Sequence, residues 1–331
     1  MNGMKALAGA ALALLLSGTF ASAQVAPDAA ASFPNRPIRI VVPFPAGGPT
    51  DILSRILGEQ MSKDWGQPVV IENRPGGNTG IAAQLVARAS PDGYTLLSAM
   101  DTTMVMNPAS GASMPYDPFK DLAPVTLLAK NVSLLMVRAE DGPKTVQELI
   151  ARGKASKDGL NYGAGITITR LIGYQFAKLA GFKAVLIPYK GSAEVVHGLL
   201  SGSVDFIVDG VASSLPLIKS GKFRALAKSN DRPIPALPDL RVLSVAAGMP
   251  QLGDMGSWIG FVAPAGIPPA VAEKIRAKVA RIYADPAIAA KLQNIGISAV
   301  GSSTPAEFGQ FYRDETAHWT KVFKDSPLKL N

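Results

Sequence analysis

Apolar and polar positions along the chain switch between two periods, and the switches outline a run of strands and helices. Residues 38–42, Ile-Arg-Ile-Val-Val, are β-branched and bounded by prolines, which predicts a strand. Proline and glycine fill residues 43–49. Ile52, Leu53, Ile56, Leu57 and Met61 then recur at helical spacing, with Thr50 placed as the N-cap. A strand over 69–71, the turn Asn73-Arg74-Pro75-Gly76-Gly77, a helix over 81–89 and a strand over 94–98 complete a βαβαβ unit. Such units carry parallel sheets and right-handed crossovers.

A second unit follows strands over 125–128 and 134–137. Thr145 and Glu148 form a capping box for a helix, and a strand at 161–162 runs into Gly163-Ala164-Gly165. The next helix spans 169–180 and ends at Gly181. A strand over 185–187, a helix from Ser192 to about residue 200, a strand over 204–208, a helix near 215–219 and a strand over 223–227 follow in order. The chain is Pro-rich from residue 231, regains strand character at 258–262 and closes with two amphipathic helices. One spans 270–284; the other opens at Thr304-Pro305-Ala306-Glu307, which joins an N-cap, a proline at N1 and a capping-box Glu. The alternation assigns the α/β class, and 331 residues exceed one ordinary domain, so two are expected.

The first residues are of another kind. Lys5 is their only charge, residues 6–16 are an unbroken apolar or small run, and Ala21-Ser22-Ala23 is an A-x-A cleavage signal. Residues 1–23 therefore read as a secretory signal peptide cut after Ala23. The apolar run falls well short of the ~20 residues that span a bilayer. Proline, glycine or a charge interrupts every later apolar stretch.

Composition removes several chemistries. The chain has no cysteine and two histidines, His197 and His318, far apart in sequence. Disulfides, thiolate metal sites, iron–sulfur clusters, cysteine nucleophiles and a lipidated N-terminal cysteine are excluded. There is no G-x-S-x-G elbow and no HExxH motif, and no cofactor or metal is expected. The formal charge of +8 becomes +7 once Lys5 leaves with the leader; basic residues are scattered, so nucleic acid is not an expected partner.

Two turns carry the candidate chemistry. In the first, Phe44, Ala46, Gly47, Gly48, Thr50 and Asp51 lie between a strand and a helix, where free amides make an anion site. A tight βα turn without a ligand is the plain alternative. The second offers Gly163, Ala164 and Gly165, then the hydroxyls of Thr167 and Thr169 and the guanidinium of Arg170, which suits a carboxylate or is a surface arginine. Asp209 ends a strand and either faces a cleft or caps the helix beginning near Ser213 or Ser214. Thr102, beside Thr103, either joins the cleft or forms a loop. In parallel α/β sheets ligands sit beyond the carboxyl ends of strands, where such turns gather.

Several segments together resemble the Bug-type proteins, the extracytoplasmic substrate-binding components of tripartite tricarboxylate transporters. They are Pro43-Phe44-Pro45-Ala46-Gly47-Gly48 with Asp51, Val70-Ile71-Glu72-Asn73-Arg74-Pro75-Gly76, Pro91-Asp92-Gly93-Tyr94, Pro115-Tyr116-Asp117-Pro118, Pro188-Tyr189-Lys190-Gly191-Ser192 and Gly221-Lys222. The resemblance implies a two-domain periplasmic-binding-protein fold of type II-like form, with a ligand cleft between domains. Domain I would take residues 33–126 plus 232–331, and domain II residues 127–231. It further implies a periplasmic monomer that binds a small organic acid and meets the permease subunits of a membrane transporter. The first turn would grip the ligand carboxylate through backbone amides and ordered water, and the second would lie across the cleft. Asp209 falls where family members meet a ligand's distal group. Two departures stand out: the second turn is one residue shorter and carries Arg170 where a histidine often follows, and Arg241-Val242-Leu243-Ser244 replaces a proline–threonine run.

The expected function is an exported receptor for a small carboxylate. An exported hydrolase or isomerase acting on a carboxylate or its ester is the alternative, and a ligand carrier for a membrane sensor is a third.

Overall fold

The computed structural model describes residues 30–253, 255–301 and 303–324. The leader and its cleavage site at Ala23 lie outside the described residues. The strands are β1 (Ile38–Val42), β2 (Val69–Asn73), β3 (Thr95–Met100), β4 (Leu122–Asn131), β5 (Ser133–Arg138), β6 (Leu160–Ala164), β7 (Ala184–Pro188), β8 (Phe206–Gly210), β9 (Phe223–Lys228), β10 (Ser257–Pro264) and β11 (Ile297–Ala299). The helices are α1 (Pro49–Trp65), α2 (Gly80–Ala87), α3 (Asn107–Ala109), α4 (Val146–Ala155), α5 (Thr167–Ala180) and α6 (Ser192–Leu200), followed by α7 (Val211–Lys219), α8 (Leu243–Ala246), α9 (Pro269–Tyr283), α10 (Pro286–Asn294) and α11 (Pro305–Lys324).

Two sheets organise the molecule, in the orders β11-β4-β10-β3-β1-β2 and β7-β6-β8-β5-β9. Each is built on a parallel trio, β2-β1-β3 in the first and β7-β6-β8 in the second, as the two βαβ runs predict. The remaining strands are antiparallel: β10 lies between β3 and β4, and β5 between β8 and β9. The lobe around the first sheet is called here the first lobe, and the other the second. β4, which the expected boundary divides after residue 126, belongs whole to the first sheet as far as Asn131.

Alternate residues of a strand enter opposite faces, so each sheet holds apolar layers on both sides. Ile38 and Ile40 pack under α1 and α9, whereas Val41 packs with α2 and α11. In the second sheet Leu135 and Val137 face α4 and α5, while Leu134 and Met136 face α6 and α7. Burying such a side chain contributes on the order of 1.5–3 kcal/mol. Helix ends follow the predicted chemistry in several places. Thr145 accepts from the Glu148 amide, Thr304 and Glu307 bond reciprocally, and Gly181 closes α5 in the left-handed conformation. Thr50, however, is inside α1: Gly48 is the N-cap, Pro49 takes N1, and the Thr50 hydroxyl lies 2.9 Å from Met100 Sδ.

The chain passes from the first sheet to the second through Val132 alone, and returns over residues 229–256. The two passages are tied together. The Ser133 amide donates to Ser229 Oγ at 3.1 Å, the Ser229 amide to Ser133 O at 2.8 Å, and Asn230 Nδ2 to Asn131 O at 3.3 Å.

α11 seals the first lobe and reaches the second. Phe308 stands edge-on to Trp258 with ring centroids 5.3 Å apart, and Trp319 packs against clusters of both lobes. Gly260 on β10 makes this packing possible, because a Cβ there would lie 2.2 Å from Phe308 Cζ. Phe308 is fully buried and has no free direction in which to retreat. The Gly260→Ala variant is therefore expected to lose roughly 1–3 kcal/mol of unfolding free energy in a urea titration, with an unchanged slope.

Candidate ligand-binding cleft

Four helices begin at one small cavity between the lobes. Where β1, β6, β7 and β8 end, the chain turns into α1, α5, α6 and α7. The residues at those turns, Gly48, Ile166, Gly191 and Gly210, all line a cavity of about 40 Å³. At Gly48, Gly191 and Gly210 no side chain caps the helix, so first-turn amides have no side-chain partner. Each helix start carries the equivalent of roughly +0.5 elementary charge. The floor comes from the passages between lobes, with Asn131, Val132, Ser133 and Ser257.

The lobes touch across this cavity. A Cβ on Gly210 would come within 2.7 Å of Pro49 Cγ, and one on Gly191 within 3.1 Å of Pro45 Cδ. Glycine at both positions permits two proline rings of the first lobe to seat on the second.

In the first turn Asp51 is support for the loop and does not line the cavity. It is buried behind the turn, takes the Gly47 amide at 3.0 Å, Arg55 Nη2 at 2.8 Å and Asn73 Nδ2 at 2.9 Å, and Asn73 in turn bonds the Phe44 carbonyl at 3.0 Å. Burial pushes the Asp51 carboxyl up, but the bonds from Arg55, Gly47 and Asn73 outweigh it and hold the group below its ordinary value. The Gly47 amide is thus committed inside the loop, at a φ of 90° that suits glycine. Ala46 and Gly47 form the exposed tip, whereas Phe44, Gly48 and Thr50 reach the cavity.

The second turn divides in the same way. Gly163 and Ala164 belong to β6, and Gly163 lies under the Tyr189 ring. α5 starts at Thr167, two residues before the predicted start, and the buried Thr167 hydroxyl has no partner. Gly165 and Thr169 line the cavity, but the Thr169 hydroxyl accepts the Ile166 amide at 3.3 Å and so acts as a cap. Arg170 lies outside the small cavity, on a larger chamber of about 750 Å³ that opens beside it.

Asp209 lines the cavity and also meets the start of α7. It accepts Ser192 Oγ at 2.9 Å and Ser213 Oγ at 2.7 Å. Burial pushes its carboxyl up to about 6, against those two hydroxyls and the Gly210 amide, which favour the charged form. Thr102 lines neither space. β3 runs on to Met100, and residues 102–106 form a buried π-type turn under α11, so Met100 is the β3 residue that reaches the cavity.

Sequence reasoning passed over Pro45, Pro49, Gly191, Ser192, Asn131 and Ser257, all of which line the cavity. Gly191-Ser192 carries the same strand-to-glycine signal as the two turns singled out. Asn131 and Ser257 have no local signal; their 3.3 Å bond joins residues 126 apart in sequence. Among the described residues there is no group of His, Cys, Asp and Glu fit to hold a metal ion, and no helix long and apolar enough to cross a membrane.

Comparison with known proteins agrees with this architecture. The sequence profile of the tripartite tricarboxylate transporter family receptor matches residues 53–328. The UPF0065 protein in the tcbD-tcbE intergenic region of Pseudomonas sp. (strain P51) is 33% identical over 329 residues, 99% of this chain and 95% of its own. A solved structure described as a periplasmic transporter superposes with a TM-score of 0.85 at 35% identity, over 90% of this chain and 100% of that one. The R. palustris protein Rpa4515, solved with adipate, superposes with a TM-score of 0.83 at 32% identity, over 88% and 97%.

The contact between the lobes yields a direct test. Gly210 has an ordinary φ of −68°, so alanine fits its backbone and collides only with Pro49. The Gly210→Ala variant should melt within a few degrees of the wild type without ligand, yet bind ligand at least about tenfold more weakly by calorimetry. Equal affinity would show that the lobes need not meet at this point.

Proposed function

The chain belongs to the tripartite tricarboxylate transporter receptor family, and from that premise we propose that it binds a small organic carboxylate in the interlobe cavity and presents it to the membrane subunits of such a transporter. The observation that carries this reading is the convergence of four helix starts, three of them on uncapped glycines, at one buried cavity. A carboxylate has two oxygens and room for several donors. It satisfies amides that the fold leaves without side-chain partners, and oriented dipoles replace its hydration. Closure of the proline rings of the first lobe on Gly191 and Gly210 shuts out water and strengthens those bonds.

Binding rather than turnover suits the residues present. His197 and His318 are exposed on α6 and α11, and the cavity is lined by no histidine. The serines beside Asp209 meet that carboxylate, with no imidazole in the cavity to relay a proton onward to a leaving group. The leader read from residues 1–23 and the periplasmic relative both suit an exported receptor.

Two measurements test the reading. In a thermal-shift screen of mono-, di-, tricarboxylic and aromatic acids, at least one acid should raise the melting temperature, because a ligand bound only by the folded state stabilises it. A flat response to every acid counts against the function. The second uses Asp209. A ligand carboxylate beside it favours the protonated side chain, so Asp209 should titrate higher with ligand than its value of about 6 without. Binding then takes up a proton, and affinity should fall as pH rises from about 5 to 8, by at most about tenfold per unit. The Asp209→Asn variant should lose this slope in calorimetry at stepped pH. An affinity that climbs with pH would instead place a ligand cation against Asp209.

A further inference from the structure

The seam beneath α11 holds an acid that the ligand cavity does not use. Asp101 follows β3 and opens into the buried π-type turn of residues 102–106. It is 1% exposed, and neither carboxyl oxygen makes a well-formed hydrogen bond. Met100 pairs with Ile259 in the antiparallel register of β3 and β10, so Asp101 and Trp258 come at the next position. The buried Trp258 Nε1 and the Thr102 and Thr103 hydroxyls are without partners as well. A charged carboxylate here has lost its hydration with no counter-charge in return, so the neutral acid is the favoured form. Burial pushes the Asp101 carboxyl up to about 8; the Thr102 and Asp101 amides draw it back in part, and the Glu315 carboxylate adds to the rise.

Glu315 belongs to the helix that covers this seam. It stands midway along α11, and its Oε2 accepts Trp319 Nε1 at 3.3 Å one turn further on. Trp319 packs against apolar clusters of both lobes, and Phe323 beyond it against the cluster of the second. The last turns of α11 therefore clasp the lobes together away from the hinge passages. Charges on the other neighbouring elements are placed differently. Lys130 of β4 and Arg232 of the return passage line a polar crevice beside Glu315, with Lys130 over the Phe311 ring at 4.9 Å. Arg170 of α5 meets the Gly165 and Tyr189 carbonyls. On α11 itself Arg313, Asp314 and His318 are exposed, and Tyr312 packs edge-on to Phe308. The Tyr116 hydroxyl donates to Thr103 O at 2.6 Å.

We propose that Asp101 and Glu315 form a proton-operated latch between the lobes. While Asp101 holds its proton, α11 stays seated and Trp319 bridges both clusters. Loss of the proton to solvent sets two carboxylates against each other and draws water toward a buried charge, so the end of α11 lifts from the second lobe. The latch governs how firmly the lobes are held, whichever ligand lies between them. In the unfolded chain the Asp101 carboxyl returns to its ordinary value of 3.8, below its folded value of about 8. The folded protein therefore holds one proton more between about pH 4 and about pH 8. Its contribution to stability is complete below about pH 4, falls as pH rises through that window and is gone above about pH 8.

The test follows tryptophan fluorescence of the purified mature protein from about pH 6 to about pH 9. The emission should shift red with a midpoint near the Asp101 value of about 8, and Trp319→Phe should remove most of that shift. Asp101→Asn keeps the shape of the side chain without a titrating proton and should abolish the transition. Glu315→Gln keeps an acceptor for Trp319 Nε1 but removes the like charge, so it should move the midpoint to lower pH with a smaller amplitude. Urea titrations supply an independent readout. Over the same range the wild-type folding constant should fall roughly tenfold to a hundredfold, and clearly less in Asp101→Asn. Flat wild-type fluorescence, a transition that persists in Asp101→Asn, or a midpoint unmoved in Glu315→Gln overturns the proposal. A stability change that depends on Asp101 while Trp319 stays unmoved also overturns it, because Asp101 is then a buried acid that works no latch.

Discussion

Backbone amides at helix starts are the constraint around which this protein is arranged. A helix leaves its first N–H groups without internal partners, and a fold normally meets that need with a serine, threonine or aspartate at the N-cap. Here three of the four helices facing the cleft begin on glycine instead. Glycine leaves the amides open and lets the opposite lobe come close, so one residue type meets two requirements. The supporting chemistry is displaced behind the surface. Asp51 anchors the first loop from within through Arg55 and Asn73, and the Thr169 hydroxyl anchors the second through Ile166. At these turns the cavity wall is therefore largely backbone, and side chains that shape the loops sit one layer back.

Asp209 complicates that picture in a useful way. A carboxylate placed among helix starts competes with any anion that enters, yet burial keeps it near neutrality at mildly acid pH. Its two serine partners belong to α6 and α7, so it ties the beginnings of both helices together. The starts of α1 and α5, one from each lobe, reach the cavity with no acid of their own in its lining.

Much of this was readable from the residues, and the exceptions have physical causes. Proline and glycine after a β-branched run mark a strand that turns into a helix, which is why the turns at Phe44–Asp51 and at Gly165 were identifiable without a structure. The expected cap at Thr50 gives way to Gly48 because Pro49, one position earlier, sits well at N1. α10 went unread although Asp285-Pro286 has the same form as Thr304-Pro305, and Asp285 does accept the Ala287 amide at 2.8 Å. A strand ending near residue 98 leaves Thr102 either at the cleft or in a loop. Two further residues of strand turn it under α11. Arg170 could be read as a cation beside a turn, either meeting a carboxylate or lying at the surface, but which of two adjoining spaces it lines depends on how β6 and β7 are placed side by side. Asn131 and Ser257 are beyond any local pattern, since only the return of the chain brings them together.

The single-residue passage at Val132 has a mechanical meaning. Because Ser133 and Ser229 exchange bonds and Asn230 holds Asn131, the outgoing and returning strands behave as one axle with two threads. Bonds that tie the two passages to each other oppose sliding of one strand past the other at the crossing. Hinge closure around a ligand places its φ/ψ change on a few residues at element ends, and Val132 is such a position. A partner that docked across both lobes would then sense their relative position through its own footprint, without touching what lies between them.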